Sequence, residues 1–189
     1  MIGLVLAGGK STRFGRDKAL YHCPHERVNN AELAVNKLRL LSDEVIVSAN
    51  AKNGDALTTQ FQAVPTITVV TDQAPFVQHG PLSGIYAACC RHPQTTDYLV
   101  LAVDYPRITP NVLAAVADHP NCFAATPAAS HYTIAHFSVS RNTLRDFLLL
   151  GDFRLGQFIE GSRQCLPLTF PNSESFTNYN YLEEINHAD

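Results

Sequence analysis

Apolar runs that alternate with helix-compatible segments are the feature that most restricts the fold of this chain. The first run, residues 2–7, contains no polar side chain and stops at Gly8-Gly9. Further runs lie at residues 44–49, 67–70 and 98–103, and the helix-compatible segments lie at residues 31–41, 82–91 and 110–117. Continuous apolar runs are typical of strands buried on both faces, and their alternation with helices indicates βαβ units. The sequence therefore predicts an α/β fold with a mostly parallel sheet and helices on both faces.

The second part of the chain, after about residue 120, is less regular. Its strand-like segments are residues 122–126 and 132–139, and its helix-like segments are residues 141–150 and 153–159. We expect this part to cover the sheet. The 189 residues contain no internal repeat, low-complexity tract or long linker, and this length suffices for one buried core. The sequence predicts a single domain over residues 1–189.

Charge and cysteine content restrict the function. A formal net charge of −3 argues against nucleic acid as a partner, because a general nucleic-acid surface needs many Lys and Arg residues to neutralise phosphates. The five cysteines include no C-x-x-C pair, which favours reduced thiols and a cytoplasmic location over disulfides or a zinc site. The apolar start is too short for a membrane span and lacks the features of a secretory signal, so we expect no membrane association.

Residues 6–18, with the sequence LAGGKSTRFGRDK, carry the strongest chemical signal. Four of the chain's 14 Lys and Arg residues lie between positions 10 and 18, directly after a buried strand and two glycines. Glycines let backbone N–H groups surround an anion, while Arg and Lys neutralise its charge. The pattern predicts a phosphate-binding loop, and a solvated basic loop is the alternative. A P-loop is disfavoured because position 4 is Leu, and the dinucleotide pattern G-x-G-x-x-G is absent.

This segment resembles the L-A-G-G-x-S-x-R-M-G-x-D-K signature of the molybdenum cofactor guanylyltransferases, with Phe14 in place of Met. The resemblance implies a three-layer, Rossmann-like fold of the nucleotide-diphospho-sugar transferase type. It also implies that Leu6, Ala7, Gly8 and Gly9 contact the nucleotide. The second glycine is similar to that of relatives that use GTP, whereas cytidylyl-transferring relatives usually have L-A-A-G. The resemblance therefore indicates GTP as the nucleotide.

Further similarities follow in the family's order along the chain. The segment of Gly80, Pro81 and Leu82 resembles the G-P-L-A-G-I loop beside the nucleotide, and Asp72 precedes it where the family often has a base-contacting Asp. Asp104 matches the metal-holding Asp of the C-D-x-P motif. The family's H-P-T and F-x-N-x-N motifs correspond to residues that the resemblance assigns to the acceptor side: His131, Thr133, Asn178 and Asn180. Ser48 stands where an Asn that contacts the base is common, so this nucleotide contact is altered.

Asp104 can also be assigned from position alone. An acidic residue at the carboxyl end of a central parallel strand lies where open α/β sheets bind ligands, and Mg²⁺ prefers one or two carboxylates together with phosphates. The alternative is a turn aspartate before Pro106.

The reaction that the resemblance implies is transfer of GMP from GTP to the phosphate of molybdenum-molybdopterin, with release of pyrophosphate. We expect Arg13, Lys18 and Asp104 to be catalytic, with Asp104 holding Mg²⁺. Other proteins of molybdenum cofactor biosynthesis are expected as partners. Two alternatives remain open: a nucleotidyltransferase with another NTP or another acceptor, such as a sugar phosphate or cofactor precursor, and a nucleotide-binding regulator without catalysis.

Overall fold

The computed structural model describes residues 1–9, 15–24, 26–171 and 174–178. Its strands are β1 (Ile2–Leu6), β2 (Glu44–Ala49), β3 (Ile67–Thr71), β4 (Thr96–Ala102), β5 (Cys122–Thr126), β6 (Ala129–Val139) and β7 (Leu166–Thr169). Its α-helices are α1 (Asn30–Leu38), α2 (Gly54–Phe61), α3 (Pro81–Arg91), α4 (Pro110–Ala117) and α5 (Arg141–Leu149). A π-helical turn, Gln157–Ser162, and a short 3-10 helix, Glu174–Phe176, complete the described elements.

The strands form one seven-stranded sheet with the order β3-β2-β1-β4-β6-β5-β7. Strands β1 to β4 are mutually parallel, and β7 is parallel to β5, whereas β6 is antiparallel to both β4 and β5. Helices α1 and α4 contact each other, as do α3 and α5. The predicted three-layer, mostly parallel α/β fold is confirmed.

The strand register brings three loops to one edge of the sheet. Leu6, the last residue of β1, pairs with Ser48 of β2 on one side and with Ala102 of β4 on the other. Because parallel strands end at the same edge, the loops that follow β1, β2 and β4 begin side by side. This edge is the one at which ligands of open α/β sheets bind.

Local sequence explains where several helices begin. The side chains of Asn29, Thr109 and Ser140 accept hydrogen bonds from backbone N–H groups in the first turns of α1, α4 and α5. Such N-caps satisfy donors that the helix itself leaves unpaired. Pro81 and Pro110 occupy first positions of α3 and α4, where a missing N–H costs nothing.

The expectation that the second part of the chain covers the sheet was wrong in one respect: β5, β6 and β7 extend the sheet instead. Helix α2 and strand β7 were not predicted. In α2, Leu57 and Phe61 are the buried large side chains, too few to give a clear helical period, and β7 contains Pro167. The helix predicted at 153–159 contains the start of the π-helical turn. Within the described ranges, no helix is long and apolar enough to cross a membrane.

Candidate active site

An ion pair marks the centre of the site at the ends of β1 and β4. The Nζ of Lys18 lies 3.2 Å from Oδ1 of Asp104, and the two side chains are 13% and 31% exposed. Asp104 is held here because the Val103 N–H donates to the Leu6 carbonyl at 3.2 Å, which continues the pairing of the two strands by one residue. The structure thus brings together two residues that are 86 positions apart and were both predicted to be catalytic. Arg13 lies outside the described residues.

Side chains that follow β2 hold the start of the glycine segment. The Ala7 N–H donates to the Ser48 carbonyl at 2.8 Å. Asn50 donates from Nδ2 to the Gly9 carbonyl at 3.2 Å, and Asn53 donates from Nδ2 to the Ala7 carbonyl at 2.9 Å. The sequence analysis did not single out Asn50 and Asn53. Their N-x-x-N spacing after a strand was the available signal, because paired Asn side chains often organise turns.

The two glycines are not required by packing within the protein. A Cβ added at Gly9 would meet no described residue within 4 Å, and one at Gly8 would lie 3.5 Å from the Ala49 carbonyl, an ordinary contact. Glycine also serves where a ligand must approach the backbone closely, and the open space beside Gly9 fits that use. Leu6 and Ala7 have buried side chains. The Leu6 carbonyl and both backbone groups of Ala7 are already bonded within the protein, so Gly8 and Gly9 are better placed than these two residues to bring backbone N–H groups to a ligand.

The residues predicted to lie near the base occupy the other side of β1. Asp72 follows β3 and accepts a hydrogen bond from the Gln78 N–H at 2.8 Å, which closes the loop before α3. Because β3 lies three strands from β4, the ends of these strands are separated by roughly 14 Å at the usual spacing of neighbouring strands. Asp72 is therefore too far from Asp104 for both to bind one metal ion.

The start of α3 faces this base side. Gly80 has φ 71°, a left-handed conformation that favours glycine, and Pro81 follows as the first helical residue. Leu82 is fully buried, so it can offer only backbone groups to a nucleotide. Ser48 is 2% exposed, and a Cβ at Gly84 would collide with its side chain. The close packing of α3 on β2 thus removes the Ser48 side chain from the surface.

Three residues predicted for the acceptor side meet at the hydroxyl of Tyr105, directly after Asp104. The hydroxyl lies 3.2 Å from His131 Nδ1. The Thr133 and Asn178 side chains also act on it, because they lower its pKa. The His131 ring stacks on Phe176 with a centroid distance of 4.7 Å. Asn180 lies outside the described residues. Tyr105 was not predicted to be a site residue, and it joins the turn that carries Asp104 to β6 and the C-terminal segment.

Burial keeps this acceptor-side cluster neutral. It raises the pKa of Tyr105, although hydrogen bonds from Asn178 and Thr133 oppose that shift. It also lowers the pKa of His131. A neutral His131 can accept a hydrogen bond at Nδ1 from the Tyr105 hydroxyl. Oδ1 of Asn178 is buried and has no hydrogen-bond partner among the described residues.

The side chains of this site could bind Mg²⁺ together with substrate phosphates, but they do not form a metal site from protein ligands alone. The part of the chain that the structure describes holds no group of three or more His, Cys, Asp and Glu residues suited to a metal. Mg²⁺ is commonly held by one or two carboxylates and by substrate phosphates. The partly exposed carboxylate of Asp104, beside the glycine segment, satisfies this requirement once a triphosphate supplies the other oxygens.

A family model covers most of this chain, and several solved structures share its fold. Residues 3–165 match the model of the MobA-like NTP transferase domain. The molybdopterin-guanine dinucleotide biosynthesis protein A from Archaeoglobus fulgidus is similar in structure, with a TM-score of 0.68 and 19% identity over 98% of this chain and 95% of that chain. A nucleotidyl transferase from Methanothermobacter has a TM-score of 0.70 and 18% identity over 97% and 93% of the two chains.

A synthase with a different name shares the same fold. The 4-diphosphocytidyl-2C-methyl-D-erythritol synthase from Anaerococcus prevotii has a TM-score of 0.68 and 11% identity over 98% of this chain and 92% of that chain. At such identities the solved structures establish the fold alone, whereas the family model covers most of the chain. The chain therefore belongs to the MobA-like NTP transferase domain family, and it is a nucleotidyltransferase of that type.

Proposed function

We propose that this protein transfers GMP from GTP to the phosphate of molybdenum-molybdopterin and releases pyrophosphate. The observation that carries the proposal is the Lys18–Asp104 pair at the ends of β1 and β4, next to a glycine segment that is open to a ligand. The Gly8-Gly9 sequence favours GTP over CTP. The neutral cluster around Tyr105 offers hydrogen-bonding groups on the acceptor side of the same edge.

In the proposed reaction, an oxygen of the acceptor phosphate attacks the α-phosphorus of GTP. The bond between the α-phosphorus and the bridging oxygen of the β-phosphate breaks, and pyrophosphate leaves with that oxygen. The backbone amides of Gly8 and Gly9 bind the phosphates, while Leu6 and Ala7 anchor the start of the glycine segment to the neighbouring strands. Lys18, with Arg13, neutralises the charge that grows on the pyrophosphate.

Asp104 has two tasks in this proposal. Its carboxylate is the protein ligand for Mg²⁺, which when bound would supply Lewis-acid stabilisation to the phosphate oxygens. It also orients the Lys18 ammonium, which lies 3.2 Å away. Asp72 and the Gly80-Pro81-Leu82 turn form the base side of the nucleotide site, and Ser48 supports this side from its buried position beneath α3. His131, Thr133, Asn178 and Asn180 form the acceptor side.

The test is pyrophosphate release by the purified protein with Mg²⁺, each of the four NTPs, and either molybdenum-molybdopterin or a sugar phosphate as acceptor. The proposal predicts release that requires GTP and molybdenum-molybdopterin together. Release with the sugar phosphate would move the protein to the alternative acceptor class, and a preference for CTP or UTP would overturn the guanylyl assignment. Nucleotide binding with no pyrophosphate release in any combination of NTP and acceptor would favour the alternative that the protein is a nucleotide-binding regulator without catalysis.

A further inference from the structure

Asn53 begins helix α2 but does not cap it. It occupies the N-cap position of α2, yet its side chain accepts no hydrogen bond from the first turn of that helix. An Asn at this position usually accepts from the second or third N–H of the helix, and losing such a cap costs about 1 kcal/mol. Asn29, at the same position of α1, does accept from the Glu32 N–H at 2.9 Å. The Asn53 side chain is thus committed to another task.

The Asn53 side chain bonds both ends of the glycine segment. Its Nδ2 donates to the Ala7 carbonyl at 2.9 Å and to the Asp17 carboxylate at 3.0 Å. The Asp17 carboxylate in turn accepts from the Ala19 N–H at 2.9 Å, on the far side of Lys18. One buried amide group therefore joins the residue before Gly8 to the residue before Lys18.

The surrounding contacts fix the orientation of this amide. Oδ1 of Asn53 accepts from the Asn50 N–H at 2.9 Å. The opposite orientation would place Oδ1 against the Ala7 carbonyl and the Asp17 carboxylate, which are acceptors only. Asn53 is 0% exposed and its bond to the Ala7 carbonyl is buried, whereas its bonds to the Asp17 carboxylate and the Asn50 N–H are partly buried. A buried network in which every member is satisfied holds one conformation.

We infer that Asn53 is a positioning residue for the triphosphate: it holds the two ends of the phosphate-binding segment at the separation that the nucleotide requires. This inference rests on the proposed function, since it takes residues 6–18 as the triphosphate site. Holding the two ends in place lowers the entropy cost of closing the segment around an anion, so the network raises nucleotide affinity without Asn53 touching the nucleotide. Lys18 gains its position toward Asp104 in the same way, through its neighbour Asp17.

Two substitutions separate positioning from a role in stability. Asn53→Ala removes all contacts of the side chain. Asn53→Asp keeps the shape and the acceptor for the Asn50 N–H, but it loses the donor and faces the Asp17 carboxylate with a second negative charge. Asn29→Ala is the matched control, because Asn29 is also a buried N-cap, 8% exposed, and bonds Gln60 rather than the glycine segment.

The experiment measures GTP affinity by calorimetry, the KM values for GTP and for the acceptor, and thermal unfolding of each protein. We expect both Asn53 variants to weaken GTP binding by at least about tenfold, as loss of hydrogen bonds to a charged partner does, with the acceptor KM unchanged. Asn29→Ala should lower the unfolding temperature while GTP affinity stays at the parent level. Asn53→Asp carries the test if Asn53→Ala does not fold.

Parental GTP affinity in a folded Asn53→Asp variant would overturn the inference while leaving the triphosphate site in place. An equal loss of affinity in Asn29→Ala would also overturn it, because the effect would then follow from stability. A parent protein that binds no nucleotide would instead refute the proposed function. The inference that Asn53 positions the triphosphate-binding segment would then lose its basis.

Discussion

The two halves of the site are built by different means. On the triphosphate side, Asn50 and Asn53 donate to backbone carbonyls, and Lys18 and Asp104 face each other as opposite charges. On the acceptor side, the contacts run between neutral side chains that meet at the Tyr105 hydroxyl. The first half can bind phosphates through backbone N–H groups and charged side chains, which suit any nucleoside triphosphate. The second half offers shape and directed hydrogen bonds, which suit discrimination of one acceptor.

This difference predicts which kind of change each half tolerates. Loss of one charge on the triphosphate side should remove catalysis or nucleotide binding, whatever the acceptor. Loss of one hydroxyl or imidazole on the acceptor side should alter the use of the acceptor while nucleotide binding persists. The Asp104-Tyr105 sequence joins the halves, so the two adjacent residues should give opposite patterns.

The largest effect is expected from Asp104→Asn, which keeps the shape of the side chain and removes its charge. Mg²⁺ is held by few protein ligands, so this variant should lower turnover by at least about 100-fold, the scale of losing one electrostatic contact to a transition state. Pyrophosphate release at saturating GTP and acceptor across a Mg²⁺ titration is the measurement. Asp118→Asn, at the end of α4 away from the strand ends, is the control. Unchanged turnover in a folded Asp104→Asn protein would show that Asp104 has no part in catalysis and is only a turn aspartate before Pro106.

Lys18→Ala should have the next largest effect. The substitution removes the ammonium that lies 3.2 Å from Asp104 and should weaken GTP binding by about 1.5 to 3 kcal/mol, the contribution of a charged hydrogen bond. Arg13→Ala should weaken binding as much or more. Calorimetric titration with GTP measures both, and Arg91→Ala at the end of α3 controls for net charge. If both variants bind GTP as the parent does, residues 6–18 form a solvated basic loop.

Tyr105→Phe should have a smaller and more selective effect. The variant loses the hydroxyl that joins His131, Thr133 and Asn178, which should cost about 1 kcal/mol of stability. We expect a higher KM for the acceptor and no change in GTP affinity. Tyr132→Phe is a matched control, because the Tyr132 hydroxyl donates to Glu160 at 2.8 Å instead. An effect of Tyr105→Phe on GTP affinity alone would contradict the division between the halves.

The smallest effect concerns pH. Burial lowers the pKa of His131 in the folded protein, so the unfolded chain binds a proton more readily. Neutral His131 makes its full contribution to folding stability above its ordinary pKa, about 6.5, and this contribution is lost as the pH falls below that value. Unfolding measured between pH 8 and pH 5 should show a shallower loss of stability in His131→Gln than in the parent. A steeper slope in His131→Gln would contradict the pKa direction.

The parallel half of the fold was predictable from sequence because its strands are buried on both faces. Each run therefore consists of consecutive apolar residues that stop at a loop, and Thr109 and Pro110 mark the start of α4. Whether β5 to β7 cover the sheet or extend it was harder to predict. Which edge of the sheet a strand joins depends on its partners, and Ala129 to Val139 carries no local signal that it pairs with β4.

Of the site, the sequence predicted the charged residues but not the side chains that hold them. Lys18 and Asp104 follow motifs, whereas Asn53 and Tyr105 become informative only when β2 and β6 bring their partners close. Asn53 bonds Ala7 across 46 positions of the chain, and Tyr105 bonds His131 across 26 positions. Contacts of this kind depend on register, which composition and spacing do not encode.

The most direct test of the central claim is the identity of the product formed in competition. The protein is incubated with Mg²⁺, molybdenum-molybdopterin and equal concentrations of the four NTPs, and the products are identified by mass spectrometry. The account predicts an acceptor that has gained one GMP, together with an equal amount of pyrophosphate. An acceptor that has gained CMP, or the absence of any nucleotidylated acceptor, would contradict it.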